Sequence, residues 1–250
     1  MNNTVLVCCE ESQRVCTEFR LLGDNAFSCD IQPCSGGHPE WHIPFDLERG
    51  GLPYNFYTSN GEYHHIAKWD LVIAHPPCTY LARSGERYMN ERKYGDYARE
   101  RAAQRQSAID FFNSFTRLEN VDCVAIENPI GVMSREYREP DQIIQPWMWG
   151  DNEKKSTCLW LKNLPNLVPE VTEQPELDEI VYIGKDGLLK RRSRLFYETA
   201  FLPKEERRKA RSKTFPGIAK AMAEQWSAHL DRYSLRSLEA LRDRLHQMQQ

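Results

Sequence analysis

Short apolar runs recur along the first half of the chain, and polar residues follow each of them. The runs lie at residues 4–9, 26–30, 70–74 and 123–126. Runs of this length, bounded by polar residues, predict strands that are buried on both faces of a sheet.

Two segments between these runs carry apolar residues at helical spacing. In residues 10–22, Val15, Phe19 and Leu22 fall on one face, and Gly23 follows as a helix-ending residue. Residues 97–118 repeat the pattern over a longer stretch. Strands that alternate with helices predict a parallel sheet covered on both faces. The expected fold is therefore α/β, a doubly wound and mostly parallel Rossmann-like sheet.

The pattern changes after residue 133, so we divide the chain there. Residues 1–133 are expected to form the α/β core, and residues 134–189, rich in proline and tryptophan, a small insertion subdomain with a hairpin turn at Asp186-Gly187. Residues 190–232 would return to the core through a helix that starts near Phe215. Residues 233–250 predict a final amphipathic helix. Its apolar positions are Leu235, Leu238, Leu241 and Leu245.

Composition places the chain among globular proteins, with 250 residues, 40% hydrophobic and 28% charged. No run approaches the ~20 apolar residues of a membrane span, and the first residues lack the pattern of a signal peptide. We expect a cytoplasmic protein without a membrane partner. The formal net charge is −3, yet basic residues concentrate at 83–105, 190–194 and 204–213. Such runs bind phosphate or form solvated helix faces, and the acidic residues among them leave both interpretations open.

The eight cysteines do not indicate a metal site. There is no CxxC pair, and the spacing of the array Cys29, Cys34, His38 and His42 does not match a zinc finger. No metal is expected, and in the cytoplasm the thiols stay reduced.

Polar residues gather where four predicted strands end. They are the groups Glu10-Glu11-Ser12, Asp30, His75 to Cys78, and Glu127-Asn128. Ligands of open parallel sheets bind beyond the carboxyl ends of the strands, so these clusters predict a site. Cys78 follows two prolines that stiffen the backbone, and the basic segment after it would favour a thiolate. The alternative is a structural Pro-Pro turn with an incidental cysteine.

Two of these clusters resemble motifs of the cytosine-C5 DNA methyltransferases. Residues 76–87 resemble the nucleophile motif, which reads Pro-Pro-Cys, then Gln, any residue, an aromatic residue and Ser, with Gly and Arg beyond. Thr79 stands here for Gln, Leu81 for the aromatic residue and Ala82 for Ser, whereas Gly85 and Arg87 fit the pattern. Residues 126–129 resemble the Glu-Asn-Val motif, with Pro129 for Val. The resemblance implies that Cys78 is the nucleophile and that Glu127 is the acid near N3 of the base.

Two later segments extend the resemblance. Residues 190–196 resemble the pattern Gln-x-Arg-x-Arg-x-Phe, which implies that Arg192 and Arg194 contact the base and hold the active-site loop. Residues 211–215 have a similar spacing of basic and aromatic residues and could fill the same role. The structural alternative for residues 190–196 is a basic edge strand without a functional role. Residues 214–223 resemble the last family motif, which packs beside the cofactor.

For the cofactor, the resemblance implies S-adenosylmethionine. The family's first motif is glycine-rich, whereas residues 9–13 contain no glycine. Ser12 is expected to cap the first helix, whose N–H groups would meet the methionine carboxylate. Asp30 suits the ribose and Asp46 the adenine amino group, although each is also a common turn residue. The full set implied at the cofactor is Glu10, Glu11, Ser12, Asp30, Ile31, Asp46, Pro76 and Phe215.

The implied activity is S-adenosylmethionine-dependent methylation of cytosine C5 in DNA through a covalent Cys78 adduct. A cytosine in a duplex must first be flipped out of the stack. The implied DNA contacts are Tyr80, Arg83, Ser84, Arg87 and Asn128. The chain is most similar to short phage or prophage members of the family, which implies the cytoplasm of a bacterial or phage-infected cell. RNA or a free cytidine nucleotide as substrate, and a non-catalytic nucleic-acid-binding protein, remain the alternatives.

Overall fold

A computed structural model describes the backbone of residues 2–248 and the side chains of residues 2–233. Its strands, in chain order, are β1 (Thr4–Cys8), β2 (Asn25–Asp30), β3 (His42–Pro44), β4 (Asn55–Tyr57), β5 (Tyr63–His65), β6 (Leu71–Ala74), β7 (Cys123–Pro129), β8 (Gln142–Ile144), β9 (Thr157–Lys162), β10 (Glu179–Ile183) and β11 (Leu189–Ser193). Its α-helices are α1 (Arg14–Leu21), α2 (Leu47–Gly50), α3 (Glu91–Tyr94), α4 (Asp96–Thr116), α5 (Met133–Glu136), α6 (Arg194–Glu198), α7 (Lys204–Ser212) and α8 (Pro216–Met248). Short 3₁₀ helices lie at Pro39–Trp41, Arg83–Met89, Pro146–Trp149 and Thr199–Phe201.

Seven strands form the central sheet, in the order β3-β2-β1-β6-β7-β9-β8. The first five of these are parallel, and β9 runs antiparallel to both of its neighbours. The strand order reverses between β1 and β6, as in Rossmann-like sheets, where ligands bind at the reversal. The expected mostly parallel α/β fold is confirmed, and the sheet is compatible with a Rossmann-like fold. None of the described helices combines the length and apolar character that crossing a membrane requires.

Side chains of successive residues in β1 enter two separate cores. Leu6 packs in the cluster that contains Phe112 of α4. Val5 and Val7 pack in the cluster that contains Phe19 of α1 and Trp226 of α8. This alternation is the period of a strand buried on both faces. It places helices on both sides of the sheet and leaves the strand ends free for a site.

The region expected to be an insertion completes the central sheet instead. Residues 134–189 supply β8 and β9, and β9 pairs along its whole length with β7. Its apolar stretch Cys158-Leu159-Trp160 is buried. The surrounding prolines and tryptophans obscured this strand in the sequence. The expected hairpin is confirmed as β10–β11, which extends beyond the predicted boundary at residue 189.

Two helices differ in extent from the prediction. Helix α1 begins at Arg14 rather than at residue 10, because Cys9 and Gln13 adopt positive φ angles of 60° and 58° and turn the chain. The two helices predicted after residue 214 are one helix, α8, whose sequence beyond Gly217 contains no proline or glycine to end it. The four leucines predicted to form its apolar face lie outside the residues whose side chains are described.

Candidate active site

Three neighbouring parallel strands deliver the central residues of the site to one edge of the sheet. Cys8 of β1 lies beside Ala74 of β6, and Ala74 lies beside Ile126 of β7. The residues that follow these positions include Glu10, His75 and Glu127. The predicted convergence of these polar clusters therefore occurs.

His75 and Glu127 form a largely buried pair. Nδ1 of His75 lies 3.0 Å from Oε2 of Glu127, and their side chains are 10% and 18% exposed. Burial alone would raise the pKa of Glu127, but the hydrogen bond and positive charge of His75, together with the charge of Lys155, hold this pKa below its usual value. Nε2 of His75 is buried and makes no hydrogen bond with a described residue. The sequence named His75 only as part of a polar cluster.

The backbone before Cys78 is held by Asn128. Its Nδ2 donates a 2.7 Å hydrogen bond to the carbonyl oxygen of Pro76, and Asn128 is only 1% exposed. Asn128 was predicted to contact nucleic acid, but in this position its side chain fixes the nucleophile segment. The N–H groups of Leu81 and Ala82 both donate to the carbonyl oxygen of Cys78, which closes a tight turn.

Cys78 itself is exposed, although protein atoms crowd its thiol. Loss of solvation raises the pKa of Cys78, and the negative charge of Glu127 raises it further. Lys155 and Arg208 oppose this shift. The thiol is therefore the main form at neutral pH, with two cations close enough to favour the thiolate.

Two arginines of α4 fix the segment that follows the nucleophile. Arg101 donates to the carbonyl oxygen of Thr79 at 2.8 Å, and Arg105 donates to that of Tyr80 at 3.0 Å. Arg101 also lies 4.9 Å from the ring centre of Tyr80. The other three residues predicted to meet DNA in this segment are exposed, namely Arg83, Ser84 and Arg87.

The basic residues predicted from the later motif have other partners. Arg194 pairs with Asp178 at 2.6 Å and with Glu198 at 3.5 Å, and Arg192 lies over the ring of Tyr182. The competing segment contributes Arg211, which donates to Phe196 and Thr199.

The cations that influence Cys78 come from elsewhere in the chain. Lys155 precedes β9 and donates to the carbonyl oxygen of Arg211 at 3.0 Å. Arg208 lies on α7, inside one of the basic runs. No motif singled out Lys155, and only this basic run pointed to Arg208.

At the N-terminus of α1, Glu10 takes the place expected for Ser12. Its carboxylate accepts hydrogen bonds from the N–H groups of Val15 at 2.7 Å and Cys16 at 3.2 Å. The prediction that Ser12 caps this helix is wrong, because the turn at Gln13 brings the longer Glu10 side chain back onto the helix. Burial raises the pKa of Glu10 to about 7.

Glu11 has a buried carboxylate without a hydrogen-bond partner. The residue is 7% exposed, and neither oxygen accepts a hydrogen bond from a described residue. Nζ of Lys209 lies 3.5 Å from Oε2, a distance that provides charge but no hydrogen bond. A buried carboxylate without a hydrogen bond is costly, so this position suits a cationic ligand group that can donate one.

Three other predicted cofactor residues lie at or just beyond the ends of β2 and β3, and a fourth precedes α8. Asp30 ends β2 and accepts from the N–H of Gln32, and burial raises its pKa. Ile31 beside it is 73% exposed. Asp46 caps α2 through the N–H groups of Glu48 and Arg49. Phe215 precedes α8 and packs on the core that contains α1.

The two histidines of the array that was considered as a metal site, His38 and His42, contact protein groups. His42 is buried and bonds with Ser28 and Gln32, both at 2.9 Å. His38 pairs with Glu40 at 3.0 Å. Within the part of the chain that the structure describes, no group of three His, Cys, Asp or Glu residues could hold a metal ion.

No protein-family model and no curated protein matches the chain.

Proposed function

We propose that this chain transfers a methyl group from S-adenosylmethionine to C5 of cytosine in DNA, through a covalent adduct on Cys78. One observation carries the proposal. Cys78 and the buried Glu127 extend from neighbouring parallel strands, close enough that the carboxylate charge raises the pKa of the thiol. A nucleophile and an acid at one strand edge are what addition to the C5–C6 bond of a pyrimidine requires.

In this mechanism Cys78 adds to C6 of the base, and negative charge develops toward N3. Glu127 transfers a proton to N3. Nδ1 of His75 lies 3.0 Å from Oε2 of this carboxylate, so His75 is the hydrogen-bonding group beside the Glu127 proton. Lys155 and Arg208 favour the thiolate of Cys78. C5 would then take the methyl group that S-adenosylmethionine supplies. The C5 proton leaves, the Cys78 thiolate is expelled, and N3 returns its proton to Glu127, which restores the aromatic base.

The residues at the ends of β1 and β2 fit S-adenosylmethionine, which would supply a methyl group activated on sulfonium. The Glu11 carboxylate, which accepts no hydrogen bond from a described residue, suits the methionine ammonium group. Asp30 suits the ribose hydroxyls, and the exposed Ile31 offers apolar surface to adenine. The first N–H groups of α1 are already used by Glu10, so the methionine carboxylate requires a different donor.

The proposal is tested by intact mass after the protein is incubated with S-adenosylmethionine and DNA that contains 5-fluorocytosine. Fluorine cannot leave as the C5 proton does, so the Cys78 adduct is trapped. We expect a covalent adduct with the unmodified protein and with Cys34→Ala, a control cysteine that is also not buried, and none with Cys78→Ala. Methylation of ordinary cytosine without a trapped adduct would show that the chemistry runs through another residue.

A second candidate is a nucleic-acid-binding protein without turnover. The use of the α1 N–H groups by Glu10 favours it, because such groups commonly receive an anionic part of a cofactor. DNA binding without any binding of S-adenosylmethionine would identify this candidate.

A further inference from the structure

Three tyrosines form a partly exposed cluster beyond the nucleophile segment. The rings of Tyr88, Tyr94 and Tyr97, here called the tyrosine cluster, have centroids 5.5 to 6.4 Å apart. Tyr97 is 51% exposed. Aromatic rings this close stabilise one another in edge and tilted arrangements, and the half-exposed ring retains surface for a further flat partner.

Cations surround this cluster. Arg87 lies 4.7 Å from the ring centre of Tyr88, and Lys93 lies 5.3 Å from that of Tyr94. Residues 83–105 contain seven basic and four acidic residues, although the whole chain carries a net charge of −3. Aromatic rings among cations suit a polyanion that also carries flat rings, which describes a nucleic acid.

Arg101 joins the tyrosine cluster to the nucleophile segment. Its guanidinium lies 5.7 Å from the ring centre of Tyr88 and donates to the carbonyl oxygen of Thr79, the residue directly after Cys78. Arg101 is only 8% exposed, so this connection is largely shielded from water. A strand that contacts the cluster is therefore also close to Cys78.

We propose that the tyrosine cluster is a stacking platform for unpaired bases, and that the chain binds single-stranded DNA in preference to the duplex. Stacking on an aromatic side chain needs a free base face, which a duplex hides. A single strand also avoids the energy of unpairing the target base. The choice of DNA rests on the proposed function, whereas the preference for unpaired bases rests on the cluster.

The test compares labelled oligonucleotides of one length by fluorescence anisotropy at fixed salt. They are single-stranded DNA, the same sequence as a duplex, an abasic strand, and the corresponding RNA. The abasic strand keeps the phosphates and lacks the rings, so it isolates stacking. We expect single-stranded DNA to bind about tenfold more tightly than the abasic strand or the duplex.

The variants assign this difference to Tyr97. Tyr97→Leu should remove most of the tenfold preference, and Tyr97→Phe should keep it because the ring remains. Tyr57→Leu is the matched control, since Tyr57 is 64% exposed and contacts Tyr63 at 5.3 Å on a different hairpin. Equal binding of the abasic and intact strands, or an equal loss in Tyr57→Leu, would overturn the platform. Tighter binding of RNA than of DNA would overturn DNA as the partner.

Binding is measured without S-adenosylmethionine, which keeps the two proposals separate. A strand preference without methylation would leave the platform standing and refute the proposed function. Methylation of DNA with no effect of Tyr97→Leu on binding would support the proposed function and refute the stacking platform.

Discussion

At the scale of single residues, the reactivity of Cys78 is set by opposing charges. Loss of solvation at the crowded thiol raises its pKa most and Glu127 raises it further, whereas Lys155 and Arg208 lower it. We expect Glu127→Gln to speed alkylation of Cys78 by iodoacetamide near pH 8, because a neighbouring negative charge is removed. Lys155→Met should slow it. The rate is measured by peptide mass mapping across a pH series.

Cys34 is the internal reference for this experiment, since it is also not buried. Its rate should be the same in all three proteins. A change of the same sign in both variants would mean that the substitutions alter exposure of the loop rather than the charge at the thiol.

His75 is expected to stabilise the fold through Glu127. In His75→Leu, burial is no longer opposed by the histidine, so the pKa of Glu127 rises and its carboxylate is costly at neutral pH. We expect a loss of about 1–3 kcal/mol in the free energy of unfolding at pH 7. His75→Gln keeps a donor and should recover part of this loss. Urea unfolding measures both.

The pH dependence of this loss has a definite sign. In the unmodified protein the pKa of Glu127 is lowered, so its contribution is present above the unfolded value of 4.5 and is lost as the pH falls through the folded one. In His75→Leu the penalty grows as the pH rises above 4.5. The difference in the free energy of unfolding between the two proteins should therefore become smaller as the pH falls. A difference that is independent of pH would indicate lost packing only.

At the scale of elements, helix α1 depends on a titrating cap. Glu10 caps it, and burial raises the Glu10 pKa from 4.5 to about 7. Between these values the folded state holds a proton that the unfolded state has released, so stability falls as the pH rises. Glu10→Gln should remove this slope, which is at most about 1.4 kcal/mol per pH unit. Unfolding free energies measured at pH 5, 6 and 7 check the prediction, and parallel slopes in the two proteins would contradict it.

Two loops of the site are joined at Gly131. Ala82 and Gly131 form an isolated bridge, and a Cβ atom at Gly131 would overlap the carbonyl oxygen of Leu81. We expect Gly131→Ala to cost about 1–3 kcal/mol of stability and to slow adduct formation at Cys78. The control is Ile130→Ala, whose side chain is 41% exposed. Normal adduct formation in Gly131→Ala would show that the two loops move independently.

The elements that the sequence predicted are those with a local signal. Strands β1, β6 and β7 are apolar runs, and the turn of the β10–β11 hairpin carries Asp186-Gly187. Strand β9 was missed because the segments that flank it in the sequence are rich in proline and tryptophan. The predicted start of α1 was wrong because the chain turns at Cys9 and Gln13 through positive φ angles. Such angles are usually predicted from glycine, and neither residue is a glycine.

At the scale of the whole molecule, the site combines residues that lie far apart in the chain. The placement of Cys78 and Glu127 at one edge of the sheet could be predicted because both follow apolar runs that form neighbouring parallel strands, whereas their proposed roles come from the resemblance. The approach of Lys155 and Arg208 to Cys78 depends on how β9 and α7 pack, which no local pattern records. The predicted arginines illustrate the same limit, since Arg194 has the expected spacing but pairs with Asp178.

The proposed cofactor site also depends on the whole fold, because α7 brings Lys209 to the carboxylate of Glu11 near β1. We expect S-adenosylhomocysteine to bind, as measured by calorimetry, and Glu11→Gln to weaken binding at least tenfold, because the ammonium group loses a charged acceptor. Lys209→Gln should strengthen binding, since Lys209 competes with the ligand for the same carboxylate. Lys204→Gln, an exposed position on the same helix, should have no effect.

Affinities that are equal in all four proteins would remove Glu11 from the site. An absence of heat and of any thermal shift at millimolar ligand in the unmodified protein would contradict cofactor binding altogether. Opposite effects of two substitutions on one ion pair cannot arise from general destabilisation, which would weaken binding in both.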